Sequence, residues 1–282
     1  MMNGIILLNK KVGITSCSTL FPLKKYFSTS RVGHTGTLDK FASGLLVVLV
    51  GRYTKLSSYI TSLDKEYVSE FEFGIATDTL DPNGRVVNTT DYIPNLEELT
   101  LGIRSFIGEI YQTPPRFSSV HFKGKRAYKL ALKEEYFKLN PRKINIHDIQ
   151  ILSYNVDSRI LKLRIECSKG TYVRSIARDL ALSLGSFSYV KSLERTKVGD
   201  FRLDNACFCE DFNINSLISL ESLRLFEEIY VDNNMIRAIK NGIHINIVIN
   251  VGEYKILKSR DGEILAVIYG IGFNRYKYVF VL

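Results

Sequence analysis

Residues 33–44 read GHTGTLDKFASG. Three glycines (Gly33, Gly36 and Gly44) with small Thr and Ser residues between them mark a tight loop, one that a ligand or another segment approaches closely. Inside it stands Asp39, the only carboxylate in the first 63 residues, with Lys10, Lys11, Arg31, His34 and Lys40 as its basic company. Cations nearby favour the ionised carboxylate, and an ionised Asp can attack carbon as a nucleophile. On an otherwise cationic face an anion repels phosphate, which is costly for simple binding. An Asp in a Gly-rich loop also serves as a turn or cap residue. Charge context alone leaves both readings standing.

The elements that must position this loop follow the apolar pattern. Ile5–Leu8 reads as a strand, and 45–50 is a continuous apolar run bounded by Gly44 and Gly51, as in a strand buried on both faces. Residues 67–73 (YVSEFEF) alternate with the period of a half-buried strand. Asp81-Pro82-Asn83-Gly84 is a turn signal, followed by a short strand at 85–88. Helical spacing covers 96–106, and 125–136 is a basic helix candidate. Strands are expected at 144–154 and 160–167. The best helix is 171–184, with apolar residues at 173, 176, 177, 180 and 184 and Gly185 placed to end it.

Beyond these, 197–228 reads as an acidic connector with a short helix at 217–226. From 228 to 282 short strands at 243–251, 254–258, 264–269 and 276–282 make a small β-rich unit. The order predicts an α+β fold around a mixed or antiparallel sheet, with one domain over 1–227 and a second over 228–282.

Bulk properties narrow the function. The 282 residues carry a net charge of +9 and are 45% hydrophobic. No long apolar run suggests a membrane span, and the short apolar start lacks the flanks of an export signal, so a cytoplasmic location is expected. Cys207 and Cys209 have no second ligand pair, and Cys17 and Cys167 stand apart, so no zinc site is read. No nucleotide-cofactor fingerprint is present. The positive charge is local: 1–63 holds eight Lys or Arg against one acid, 112–133 holds six against none, and 197–228 holds three against seven. Single-sign stretches of this kind suit surfaces that neutralise phosphates.

Six ordered blocks across residues 4–200 resemble the bacterial tRNA pseudouridine-55 synthases, the TruB family: NKKVGITS (9–16), GHTGTLD (33–39), DKEYVSEFEFGIATDT (64–79), QTPPRFSSVHFKGKRAYKLA (112–131), CSKGTYVRSIARDLALSLG (167–185) and LERTKVG (193–199). The C-terminal segment, with AIKNG (238–242) and DGEILAVIYG (261–270), is similar to a PUA-type RNA-binding domain, which implies a grip on the acceptor end of the tRNA. The resemblance implies that Asp39 is the catalytic carboxylate, that Tyr67 stacks on the target base and helps remove its C5 proton, and that Arg174 pairs with Asp39. It further implies that His34 stacks near displaced nucleotides, that Leu193 lines the uracil pocket, and that Lys123, Lys125 and Arg126 touch phosphates. Lys10, Asp78 and Tyr172 complete the implied substrate-binding set. From the residues alone Tyr67 is a core strand aromatic, His34 a loop histidine and Arg174 a surface arginine.

The implied substrate is the T-arm of tRNA, the implied enzyme a monomer with no obligate protein partner, and no metal or redox cofactor is implied. A non-catalytic RNA-binding or chaperone protein is the alternative; it does not require Asp39, Tyr67 and Arg174 together. A guide-dependent subunit acting on ribosomal RNA is a second. Departures are Lys11 and Lys40 at customary prolines and His121 at a customary lysine. Pro22 lies within the expected first helix and predicts a kink or a late start there.

Overall fold

The computed structural model describes residues 2–223 and 225–282. In chain order come β1 (Gly4–Lys10), α1 (Phe21–Tyr26), β2 (Val32–His34), β3 (Ser43–Val50), α2 (Ser57–Ser62), β4 (Lys65–Phe73), β5 (Ile75–Thr77) and β6 (Val86–Thr89). Next are α3 (Leu96–Arg104), β7 (Gly108–Gln112), β8 (His121–Phe122), β9 (Lys125–Arg126), α4 (Ala127–Ala131), β10 (Arg142–Asn155) and β11 (Ile160–Cys167). Then follow α5 (Val173–Ser183), β12 (Ser188–Val198), β13 (Phe201–Arg202), β14 (Glu227–Val231), α6 (Asn233–Lys240), β15 (Tyr254–Ser259), β16 (Ile264–Gly272) and β17 (Arg275–Val281).

Nine strands form one mixed sheet in the order β1-β3-β12-β4-β11-β10-β7, with β2 paired to β3 and β13 to β12. Its two halves meet at a short parallel contact, Glu194 opposite Ser43 and Arg195 opposite Gly44. The loop carrying Asp39 enters β3 at this junction, and β4, carrying Tyr67, lies on the other side of β12. The topology therefore brings the loop and Tyr67 to one seam.

Side-chain alternation explains the continuous apolar run of β3. Leu45, Val47 and Leu49 pack with Tyr53, Leu56, Ile256 and Phe280 on one face, while Leu46, Val48 and Val50 pack with Leu20, Leu23 and Val32 on the other. The first of these cores also takes in Ile264 and Val267, so the four-stranded C-terminal sheet (β14-β15-β16-β17) is seated against β1 and β3. On the other half of the sheet, Phe71, Phe73, Leu163 and Ile165 receive Ile176, Ala177 and Leu180 of α5 and Leu99 and Ile103 of α3. Helix α3 begins with a capping box, Asn95 Oδ1 accepting from Glu98 N at 3.0 Å and Glu98 Oε2 from Asn95 N at 2.7 Å. Helix α5 ends at Gly185, whose φ of 73° allows Ser186 N to reach back to Ala181 O at 2.8 Å.

Three expectations need correction. The basic helix over 125–136 shrinks to five residues, Ala127–Ala131, because only Ala127, Leu130 and Ala131 find apolar cover while Leu132 and Tyr136 face solvent. No helix forms over 217–226 among the described residues; position 224 lies outside them. The apolar residues there are drawn to separate partners instead: Ile218 bridges to Ile5, and Leu220 and Phe226 enter the core under β3. The stretch 243–251 does alternate, burying Ile247 and Ile249, but it forms no ladder because Ile245 N bonds to the Tyr276 hydroxyl (2.9 Å) and Ile249 O to Asn274 N (3.3 Å). Helix α6 precedes it, a helix absent from the sequence reading. At α1 the expected late start is found, with a 3₁₀ turn at Ser18–Leu20 and Pro22 in the first helical turn.

Gly44 allows the central junction. Its φ is 100°, and a Cβ there would lie 2.4 Å from Arg195 O and 2.7 Å from Arg195 N. Gly44→Ala must push β12 off β3, an overpacking that costs about 1–3 kcal/mol before any backbone strain is added. A lowered Tm on thermal melting is the expected result; an unchanged Tm would mean the junction yields freely.

Candidate active site

The loop at 35–42 is clamped from several sides. Thr35 N donates to Val47 O (3.0 Å), and the Ser16 hydroxyl donates to Leu38 O (3.0 Å) while accepting from Leu38 N (2.9 Å). Gly13 N donates to Lys40 O (2.8 Å), so the turns close despite Lys11 and Lys40. Leu38 and Phe41 are buried in the sheet core on either side of Asp39, which leaves the carboxylate little choice of direction. The first motif, 9–16, thus supports the loop, and Ser16 is a supporting residue that sequence reading misses.

Asp39 opens into a cleft of about 510 Å³ whose walls include Thr35, Tyr67, Tyr128, Tyr172, Arg174 and Arg195. Its side chain is 39% exposed, whereas that of Arg174 is only 4% exposed. Arg174 Nη2 lies 2.9 Å from Asp39 Oδ2. The same nitrogen donates to Phe117 O at 3.1 Å, and Nη1 donates to Thr79 O at 2.9 Å and pairs with Asp81 Oδ2 at 3.4 Å. The guanidinium is therefore divided between two carboxylates and does not clasp Asp39 with both prongs. Asp81, read from sequence only as a turn residue, is itself held by Thr79 Oγ1 (2.8 Å) and Asn83 N (3.0 Å). Its reach back to Arg174 carries no local sequence signal.

The electrostatics differ from what basic neighbours suggest. Burial raises the Asp39 pKa above the ordinary aspartate value; Arg174 pulls it down, Asp81 pushes it up and Lys10 pulls it down, with burial dominant. If the carboxylate is the working form, kcat/KM is full above this raised pKa and is lost as pH falls through it. A pH–rate profile should show an acid limb centred above the range of a free aspartate; a limb at or below that range would contradict the burial argument.

Among the other expected site residues, Tyr67, Leu193 and Tyr172 line the cleft. Burial raises the pKa of the Tyr67 phenol, opposed chiefly by Arg195. Tyr172 precedes α5 and is fixed by Gln112, whose amide accepts from Tyr172 N (2.8 Å) and donates to Tyr172 O (3.1 Å). Lys10 is not a surface contact: it is 0% exposed, with Nζ donating to Lys11 O (3.0 Å) and Ile14 O (2.8 Å), and burial lowers its pKa to about 8. It tethers the first motif beneath Asp39. His34 lies outside the cleft lining, with Nε2 3.8 Å from Cys17 Sγ and burial, then Arg195, lowering its pKa. Asp78 belongs to the β5–β6 hairpin, where Oδ1 accepts from Arg85 N at 2.9 Å. Lys123, Lys125 and Arg126 are exposed on the β8–β9 hairpin, part of a lobe that also sends Phe117, Ser118, Ser119 and Tyr128 into the cleft wall. Lys65, at the cleft edge, donates to Thr61 O (2.6 Å), and burial lowers its pKa to about 8.

Residues 24–173 match the family described as TruB family pseudouridylate synthase (N terminal domain). The tRNA pseudouridine synthase B of Borreliella burgdorferi (strain ZS7) is 62% identical over 281 residues, covering 100% of both chains. That of Francisella philomiragia subsp. philomiragia is 37% identical over 234 residues, covering 82% of this chain and 77% of the relative. In fold, the chain resembles one in a crystal structure of a Cbf5-Nop10-Gar1 complex, with a TM-score of 0.72 at 20% identity over 96% of this chain and 79% of the other.

Proposed function

As this chain belongs to the TruB family of pseudouridylate synthases, we propose that it isomerises the uridine at position 55, in the T-loop of tRNA, to pseudouridine through Asp39, Tyr67 and Arg174. The observation that carries this reading is the Asp39–Arg174 pair, 2.9 Å apart, set in an open cleft beside Tyr67. A volume of about 510 Å³ falls in the range of ligand pockets. A binding protein gains nothing from a carboxylate facing an anionic polymer.

The reaction breaks N1–C1′, turns the ring and joins C5 to C1′, so no water is added and one reacting carboxylate suffices where glycoside hydrolysis normally needs two. Asp81 is the second carboxylate nearby, but its oxygens are occupied by Thr79, Asn83 and Arg174. The target base reaches Asp39 only after leaving its stack, at a cost of a few kcal/mol; stacking on an aromatic such as Tyr67 returns roughly 1–3 kcal/mol. Tyr172 and Leu193 flank that space, and the Ser118 hydroxyl, buried without a partner in the cleft wall, suits a polar ligand.

The exposed Lys123, Lys125 and Arg126 meet backbone phosphates, which position RNA without reading its bases. Residues 228–282 form the RNA-gripping domain beside a catalytic domain of 1–227. The enzyme works in the cytoplasm as a monomer without an obligate protein partner, consistent with its own basic surface; among the described residues no helix is long and apolar enough to cross a membrane.

Tritium release from tRNA carrying 5-tritiated uridine, with no metal added, is the test. Near-stoichiometric release with pseudouridine mapped to the T-loop is expected. Binding of the tRNA without release would leave a non-catalytic RNA-binding protein in its place.

A further inference from the structure

Among the described residues Arg195 is a buried cation without a counter-anion. It is 2% exposed and sits on β12 directly opposite Tyr67 of β4 on one side and Gly44 of β3 on the other. Nε donates to Leu45 O at 2.8 Å and Nη2 to Gly36 O at 3.0 Å, at the far end and the near end of the Asp39 loop. Among the described residues no carboxylate pairs with it. Two carbonyls take up one N–H on each of two nitrogens and none of its charge, and a buried charge left uncompensated is costly. Its field also lowers the pKa values of Lys10, His34 and Lys65. An arrangement of this kind suits an anion that exists only during turnover.

Three acidic groups near Arg195 could become that anion. Asp39 is already tied to Arg174. The Cys167 thiol is pushed by burial to about 12 and stays neutral. The Tyr67 hydroxyl remains: Tyr67 is the cross-strand partner of Arg195, lines the same cleft and feels its positive charge, with Cys167 and Asp39 as its other charged or titratable neighbours.

We propose that Arg195 is a positioning residue for proton transfer, holding the Tyr67 hydroxyl in register with the Asp39 loop and stabilising the phenolate that Tyr67 becomes. This rests on the isomerase reading above. The isomerisation breaks C5–H and forms N1–H. Cleavage of N1–C1′ leaves the electron pair on the ring; the Tyr67 phenol gives its proton to N1 and becomes phenolate. Once C5 has bonded to C1′, the phenolate takes the proton from C5, so ring and phenol both end neutral.

Arg195→Gln and the wild type are compared in single turnover on tRNA made with uridine bearing protium or deuterium at C5. Arg195→Gln should slow conversion by roughly 10²-fold, the lower range for a lost acid–base contribution, with tRNA affinity retained and a deuterium isotope effect larger than that of the wild type. Retained speed, or slowing with the wild-type isotope ratio, would reduce Arg195 to a structural brace and overturn the proposal. If Arg195→Gln does not fold, Arg195→Lys serves with ζ-carbon NMR of tyrosine, the Tyr67 signal being assigned by its loss in Tyr67→Phe. In Arg195→Lys, Tyr67 should titrate at a higher pH than in the wild type, and an unmoved titration would overturn the proposal. Failure of the wild type itself to convert uridine would instead remove the isomerase reading.

Discussion

Asp39→Asn should abolish measurable turnover, lowering kcat on the order of 10⁴-fold or more, as loss of a reacting side chain does in other enzymes. The amide is nearly isosteric but neither attacks carbon nor carries the charge that faces Arg174 at 2.9 Å. The companion effect has the opposite sign. Because the folded protein raises the Asp39 pKa, burial dominating, the native state holds that proton more tightly than the unfolded chain does. Stability therefore declines as pH rises from the unfolded pKa through the folded one, and above both the ionised carboxylate weakens the fold. Asparagine removes that penalty. Thermal melting at neutral pH should give a Tm no lower than that of the wild type, with tRNA still bound. This trade of stability for activity is expected of a working site. An inactive variant with a sharply lowered Tm would instead make Asp39 a structural loop residue.

The parts of this architecture governed by local pattern are legible in the sequence. The glycine loop, the doubly buried β3 and helix α5 with its Gly185 stop each carry their own signal, and strands β4, β10 and β11 lie where their patterns place them. Strand β12 is different. It is central to the sheet, yet register shifts between Val190 and Ser192 and between Arg195 and Lys197 break its alternation, so its period is not that of a strand. Arg195 is hidden for that reason, since its importance comes from facing Tyr67 and Gly44 at once. Asp81 and Ser16 are hidden in another way. Each has an ordinary local meaning, a turn and a loop polar residue, and acts through partners remote in sequence. Lys10 is hidden in the reverse way: the resemblance places it in the substrate-binding set, whereas in the fold its ammonium is spent on backbone carbonyls.

Arg174→Met should damage both catalysis and folding, unlike Asp39→Asn. The guanidinium satisfies Thr79 O and Phe117 O and pairs with two carboxylates, with almost none of its surface exposed. Methionine fills similar space but leaves Asp39 and Asp81 facing each other without the guanidinium between them. Breaking a buried pair in this way costs about 3–5 kcal/mol. Asp39 then loses the largest influence opposing burial while the repulsion from Asp81 persists, so its pKa climbs further. The acid limb of the pH–rate profile must move to higher pH, and activity should recover in part on raising the pH, from a deficit on the order of 10³–10⁴-fold at neutrality, comparable to loss of the group that orients a catalytic base. Arg174→Lys should fall between, since one ammonium reaches Asp39 but cannot also span Thr79 O, Asp81 and Phe117 O. In the double variant with Asp39→Asn the stability losses should be sub-additive, because the stranded carboxylate is gone. Strict additivity in that cycle, or an acid limb unmoved in Arg174→Met, would show that Arg174 serves the lobe through Phe117 and not the charge of Asp39.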